Sequence, residues 1–395
     1  MFQFGIDRLL HEKELQNKLI DKRLAFLGHP ASMTKKMQHS IDALFQVESL
    51  KVVAGFGPQH GMRGEKQDNM IESDDFTDPV YKIPVYSLYG NVRRPTDDML
   101  KGWDVLLVDL QDVGCRIYTF LTTLFYMMDA LEAHPEKEIW VLDRPNPAGR
   151  PVEGHTLDMK FETFVGAAPV PMRHGLTLGE AALWYKAKKN MKLNLTVVGM
   201  KEYQPGWPSE LCWVNPSPNM PRLSNARQYA GSVLIEGTNL SEGRGTTIPL
   251  EIVGMPGMNA EKVVALMQKL AGHWMQGCVV RTCYFEPTFH KFKGQLCSGI
   301  QVHADGSIYN EEKFKPYRLY NLFLKAFHHT HPEFDLWRKP PYEYETIKMP
   351  IDILSGHSQL REWVEDKDPR IEEWNNSLQA DEQAWLSERK PFLLY

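Results

Sequence analysis

The chain lacks the features that would tie it to a polyanion, a membrane or a structural metal. Lysine and arginine form no concentrated run and the formal net charge is −5, so there is no basic face of the kind nucleic acid needs. No stretch of about 18 apolar residues occurs, and the opening MFQFGIDRLLHEKELQNKLI meets charges before any apolar run of signal-peptide length. This predicts no membrane segment and a cytoplasmic location. Cysteine is scarce: Cys115, Cys212, Cys278, Cys283 and Cys297 are odd in number and without CxxC spacing. They read as reduced thiols rather than a disulfide framework or a zinc site.

Cofactor and nucleophile signatures are missing as well. No GxGxxG follows the first apolar segment, no GxxxxGK[ST] is present, and there is no GxSxG elbow. Neither a dinucleotide nor a P-loop phosphate site is supported, and no cofactor is expected. Without HExxH or HxH spacing, His60 and His174 (in QHGM and RHGL) read as hydrogen-bonding or acid–base groups in preference to metal ligands. No internal repeat or low-complexity segment appears.

What is present is a chain of 395 residues, 43% hydrophobic and 24% charged, long enough for two domains. A capped helix is expected within residues 1–20. Short apolar segments follow at residues 24–29, 51–56, 85–90, 105–112 and 139–147, separated by helical stretches at 40–45, 97–100 and 121–133. Strands alternating with helices predict βαβ units on a parallel sheet. The expected architecture is α/β: a Rossmann-like parallel-sheet domain over residues 1–170, then a smaller α+β C-terminal domain over 171–395, with a cleft between them. In the second part, RHGLTLGE offers Thr177 as a helix cap with Glu180 three residues on. Glu180 is thus either a capping residue or a catalytic one. A strand is expected at 193–200, a proline-punctuated loop at 213–221, and helices at 261–273, 317–329 and, as a pair, 359–387.

Ligands of open parallel sheets gather outside the carboxyl ends of the strands. Four expected strands deliver polar residues there, through GPQHGMRGEKQDNMIESDD, LYG with Arg93 and Arg94, DLQDVGCRIYTF and DRPNP. A further dense loop lies at 234–246, LIEGTNLSEGRGT, after an apolar lead-in that reads as a strand at 232–235. Its glycines permit close backbone approach while Glu236, Glu242 and Arg244 supply acceptors and a guanidinium fork. Asp109, Asp112, Asp143, Glu153, Glu180, Glu236 and Glu242 are the acids to weigh. Asp112 doubles as a turn former, Asp143 as a partner of Arg144, and Arg116 as a partner of either. Glycoside hydrolysis needs two such acids, about 5 Å apart for retention and roughly 6.5–9.5 Å for inversion. Tyr89, Tyr118, Phe120, Trp213 and Tyr229 accompany the polar motifs, and flat rings suit either a sugar face or the core.

The ordered series GPQHGMRG, PVYSLYG with RRPT, DVLLVDLQDVGCRIYTF, VLDRPNP with VEG, RHGLTLGE, WVNPSPNMP and EGTNLSEGRGT, across residues 4–303, resembles the NamZ-type exo-β-N-acetylmuramidases. The resemblance implies a Rossmann-like domain joined to a smaller one, an interdomain active site, and removal of N-acetylmuramic acid from the non-reducing end of peptidoglycan fragments without a nucleotide cofactor. It also gives an arginine such as Arg63, Arg116 or Arg244 a reason to meet the lactyl carboxylate. One departure matters. Where the family reads PEHG with a proposed catalytic glutamate, this chain has Gln59, and an amide cannot donate a carboxyl proton. Either another acid takes over, with Glu65, Glu72, Asp112 and Glu242 available, or the substrate or hydrolase activity has changed. The candidate catalytic set is therefore Gln59, His60, Asp112 and Glu242. The candidate substrate contacts are Arg63, Arg116, Tyr118, Asn146, His174, Asn219, Glu236, Asn239 and Arg244, and a muropeptide is the expected partner.

Overall fold

The computed structural model describes residues 1–64 and 72–395. Its first sheet is built from β1 (Arg23–Gly28), β2 (Lys51–Gly57), β3 (Phe76–Thr77), β4 (Pro84–Ser87), β5 (Val105–Asp109) and β6 (Glu138–Leu142). After a two-stranded ribbon, β7 (Glu153–Thr156) with β8 (Pro171–Arg173), the sheet takes its seventh strand from β9 (Asn194–Val198). The spatial order is β3-β4-β2-β1-β5-β6-β9. Neighbours run parallel except the short edge strand β3, which is antiparallel to β4. A strand buried on both faces must be apolar at every position. In β5 all five residues are buried, with Leu106 and Val108 entering one core and Val105 and Leu107 the other, beside Phe26 and Trp140.

The C-terminal part is smaller and α+β. An antiparallel sheet, β10 (Ile252–Met255), β11 (Val279–Phe285) and β12 (Cys297–His303), has β12 in the middle. Helix Ala260–Ala271 packs on it, and helix Pro316–Thr330 lies against both Ala260–Ala271 and Leu223–Ser232. The last long helix, Ile371–Arg389, returns to the first half: Trp385 donates to the His174 carbonyl at 2.8 Å, Arg389 to that of Gly175 at 2.7 Å. The Tyr395 hydroxyl donates to Asp143 at 2.8 Å and accepts from the Met200 amide at 2.7 Å. Among the described residues no helix is long and apolar enough to cross a membrane.

Three local expectations are corrected. The helix expected within residues 1–20 is two, Gly5–His11 and Lys13–Asn17, and Asp7 lies inside the first, accepting from the Phe4 amide. Residues 97–100 form turns, not a helix. Residues 232–235 are not a strand: helix Leu223–Ser232 runs into a 3₁₀ turn, Val233–Gly237, packed on helix Pro350–Ser355. Tertiary packing overrides their strand-forming composition: all four are buried, and the turn sits so close to its neighbour helix that a Cβ on Gly237 would stand 2.8 Å from Ile351 backbone.

Candidate active site

β2 ends at Gly57 against the core, and a tight turn follows in which the Gly61 amide bonds the Pro58 carbonyl at 2.9 Å. His60 adopts a left-handed φ of 73° and Gly61 one of 82°, a conformation that bulky residues hold only when surroundings enforce it. The turn thereby presents Gln59 and His60 beyond the strand's carboxyl end. After β5 the chain crosses to Tyr118 and Thr119, where helix Thr119–Leu131 begins. Thr119 donates its hydroxyl to the Gln59 amide oxygen at 2.9 Å, tying the two rim segments together.

Opposite this rim stand three pieces of the C-terminal half. The loop at 213–221 contributes Ser217, Asn219 and Met220, helix Leu223–Ser232 contributes Tyr229, and the 3₁₀ turn with the loop after it contributes Glu236, Arg244 and Leu250. A further segment adds Tyr342 and Glu343 to the lining. Together they line a narrow, polar space that opens to solvent.

The polar groups are ordered by charge. Arg244 donates Nη2 to Glu236 at 2.6 Å and Nε to Glu242 at 3.1 Å. Glu242 also takes Lys291 Nζ at 2.9 Å, with His290 at 3.5 Å. Those cations overcome its burial and hold its carboxyl down at about 2, so it is a fixed anion lying one bond behind the pocket wall. Glu236 accepts in addition from the Tyr342 hydroxyl at 3.0 Å. Glu343 is different. Burial first, and the Glu236 charge second, push its carboxyl up to about 7, while the Tyr89 hydroxyl donates to it at 3.3 Å. The same burial raises the phenols of Tyr229 and Tyr342, so both are neutral hydrogen-bonding groups.

Of the residues singled out in the sequence, the fold gathers Gln59, His60, Tyr118, Asn219, Glu236 and Arg244 around this space. Others are engaged elsewhere. Arg116 is fully buried and donates to the carbonyls of His155, Val170, Leu354 and Ser355, so it fastens three backbone segments instead of meeting a ligand or a carboxylate. Arg63 pairs with Asp42 at 2.8 Å and Asp78 at 3.3 Å. Asn146 bonds the Leu176 carbonyl and the Ala148 amide, and Asn239 holds the Asp335 carbonyl at 2.7 Å. Asp112 and His174 are buried and 3.6 Å apart, Asp112 accepting from the Gly114 amide and His174 from that of Leu176. Neither lines the pocket.

The remaining acids divide the same way. Asp109 pairs with Arg144, and Asp143 takes Thr177, Gly179 and Tyr395 instead of Arg144. Glu153 caps helix Pro316–Thr330 through the Tyr317 and Arg318 amides. Glu180 closes the expected capping box on Thr177 and is gripped by Arg150 at 2.7 Å. Glu72 is bonded by Tyr344 and Arg93, and Glu65 lies outside the described residues. Among the aromatics, Trp213 bonds the Met220 carbonyl and fixes its own loop. No group of three or more His, Cys, Asp or Glu among the described residues is arranged to hold a metal ion. Glu343 and Tyr342 were not singled out. Their only trace is the PPYEYE run, acid and aromatic alternating after two prolines.

Two family models, the N-terminal and C-terminal parts of exo-β-N-acetylmuramidase NamZ, match residues 24–224 and 227–395. The chain is 36% identical over 400 residues to the peptidoglycan β-N-acetylmuramidase NamZ of Bacillus subtilis strain 168, covering all of this chain and 91% of the relative. Two crystal structures of DUF1343 family proteins from Bacteroides fragilis superpose with TM-scores of 0.86 and 0.74, at 29% and 27% identity, each over the whole chain and 99% of its counterpart. With both halves matched and the pocket lying where they meet, the chain belongs to the NamZ exo-β-N-acetylmuramidase family.

Proposed function

We propose that the protein is a glycosidase releasing N-acetylmuramic acid from the non-reducing end of peptidoglycan fragments. The observation that carries this reading is Arg244: Nε and Nη2 are committed to Glu242 and Glu236, which leaves Nη1 for a ligand anion at the pocket wall. N-acetylmuramic acid differs from its neighbour sugar by a lactyl carboxylate, and a pre-oriented guanidinium is suited to that group. Asn219, the Tyr118 hydroxyl and His60 line the same space and suit sugar hydroxyls and the acetamido group. The five free thiols, Cys212 among them exposed, fit a reducing compartment, and turnover of muropeptides in the cytoplasm is the setting proposed. Cell fractionation tests that setting.

Gln59 favours a second reading, a muropeptide-binding protein without turnover. A chromogenic β-glycoside of N-acetylmuramic acid separates the two. The glycosidase releases the sugar as purified, with no need for Gln59→Glu. Binding of a muropeptide by calorimetry with no product over long incubation, and turnover appearing only in Gln59→Glu, would establish the silent binder.

A further inference from the structure

Glu343 stands between two chambers. The pocket above is the first. The second, about 720 Å³ and wider, is walled by Glu72, Asn91, Arg93, Phe164 and Tyr344. Among the described residues Glu343 is the one side chain lining both. It is held there against backbone preference, with left-handed φ of 45° at Glu343 and 69° at Tyr344, conformations that L-residues keep only when the surroundings impose them and that concentrate at functional sites. The loop is fastened on each side. Tyr342 bonds Glu236 at 3.0 Å, and Tyr344 bonds Glu72 at 2.9 Å while stacking on the Arg93 guanidinium at 4.6 Å.

A glycosidase that removes one terminal sugar needs a chamber for that sugar, a second for the leaving saccharide, and a carboxylic acid at the bond between them. Resting on the glycosidase reading, we propose that Glu343 is the proton donor to the glycosidic oxygen, with the terminal sugar beside Arg244 and the leaving saccharide beside Arg93. As the bond from the anomeric carbon to that oxygen breaks, the Glu343 proton passes to the oxygen and the shortened saccharide departs as an alcohol. Water then bonds to the anomeric carbon, and the proton it gives up restores the Glu343 carboxyl. This supplies the acid that Gln59 cannot, from a loop far along the chain from the QHG turn. The groups facing Glu343 agree with the role. Burial and the Glu236 charge disfavour its ionised form, whereas the hydrogen bond from the Tyr89 hydroxyl and the charges of Arg93 and Arg338 oppose them less strongly. His60, Tyr118, Tyr229, Tyr342 and Arg244 are the further titratable or charged side chains on this pocket's wall, and Glu72, Tyr344 and Glu345 are those of the second chamber.

The experiment compares leaving groups. A proton donor matters for a sugar alcohol and hardly at all for dinitrophenolate, which leaves unassisted. Glu343→Gln is therefore expected to lower kcat/KM for the N-acetylmuramyl disaccharide by about 10²–10⁴-fold while the dinitrophenyl glycoside loses less than roughly 10-fold. In the wild type, the fall of kcat/KM on the alkaline side, expected with the disaccharide, is expected to be absent with the dinitrophenyl glycoside. That measurement stands whether or not the variant folds. Equal losses on both substrates, or an alkaline limb common to both, overturn the assignment and leave the glycosidase reading standing. A wild type inert toward both substrates removes the two together.

Discussion

Arg244 sets the charge balance of the pocket. It is buried between Glu236 and Glu242, so its removal leaves Glu242 with Lys291 and the buried Glu236 without a cationic partner. Arg244→Ala is expected to destabilise the fold by about 3–5 kcal/mol, because an unpaired buried charge loses its compensation, and denaturant melts check this. Arg244→Lys keeps the charge but not the fork. It is expected to fold, with KM for muramyl glycosides raised at least about tenfold and kcat less affected, a split read by steady-state kinetics. Two acids also give the site opposite pH responses. Glu242 has a folded pKa held at about 2, below its ordinary 4.5. Its stabilisation is complete above about 4.5 and is lost as pH falls toward 2. Glu343 is raised from 4.5 to about 7. Its favourable contribution is complete below about 4.5 and is lost as pH rises through 7, at a cost of up to roughly 3 kcal/mol. Glu343→Gln is therefore expected to gain stability relative to wild type between pH 5 and 8, measured as the difference in urea midpoints across that range.

At the scale of elements, the C-terminal helix and its tail hold the rim of the first sheet. Trp385 is 2% exposed and donates to the His174 carbonyl. Trp385→Ala is expected to cost about 3–5 kcal/mol, from lost burial and the cavity left behind. Tyr395→Phe removes a hydroxyl that serves Asp143 and the Met200 amide, and about 1–3 kcal/mol is expected for leaving buried groups unpaired. Thermal unfolding of the two variants tests both figures. These elements were legible in part. The Thr177–Glu180 capping box is a local pattern and forms where its spacing indicated. The lead-in at 232–235 carried strand-forming residues into a 3₁₀ turn, since neighbours over a hundred residues away decide how a short apolar run is used.

Across the whole molecule the larger hydrophobic core is continuous. It includes Ala25 and Leu27 from β1, Tyr317 and Phe323 from helix Pro316–Thr330, and Trp385 near the chain's end. A fragment ending at residue 224 would expose that surface, and it is expected to be insoluble or rapidly degraded, checked by expression and limited proteolysis beside the full chain. The sequence by itself determined the two-sided apolar strands of the first sheet, because burial on both faces writes itself as consecutive apolar residues. It also determined the family, since seven polar motifs survive in order. It could not say which polar residues share a pocket. Arg116 and Arg244 look alike as letters, yet one is consumed by four backbone carbonyls and the other is offered between two carboxylates. Nor could it find Glu343, whose significance comes from burial beside Glu236 and a seat between two chambers. Proximity and desolvation are properties of the folded chain, and residues 59, 118, 244 and 343 acquire them only when distant segments close around the same space.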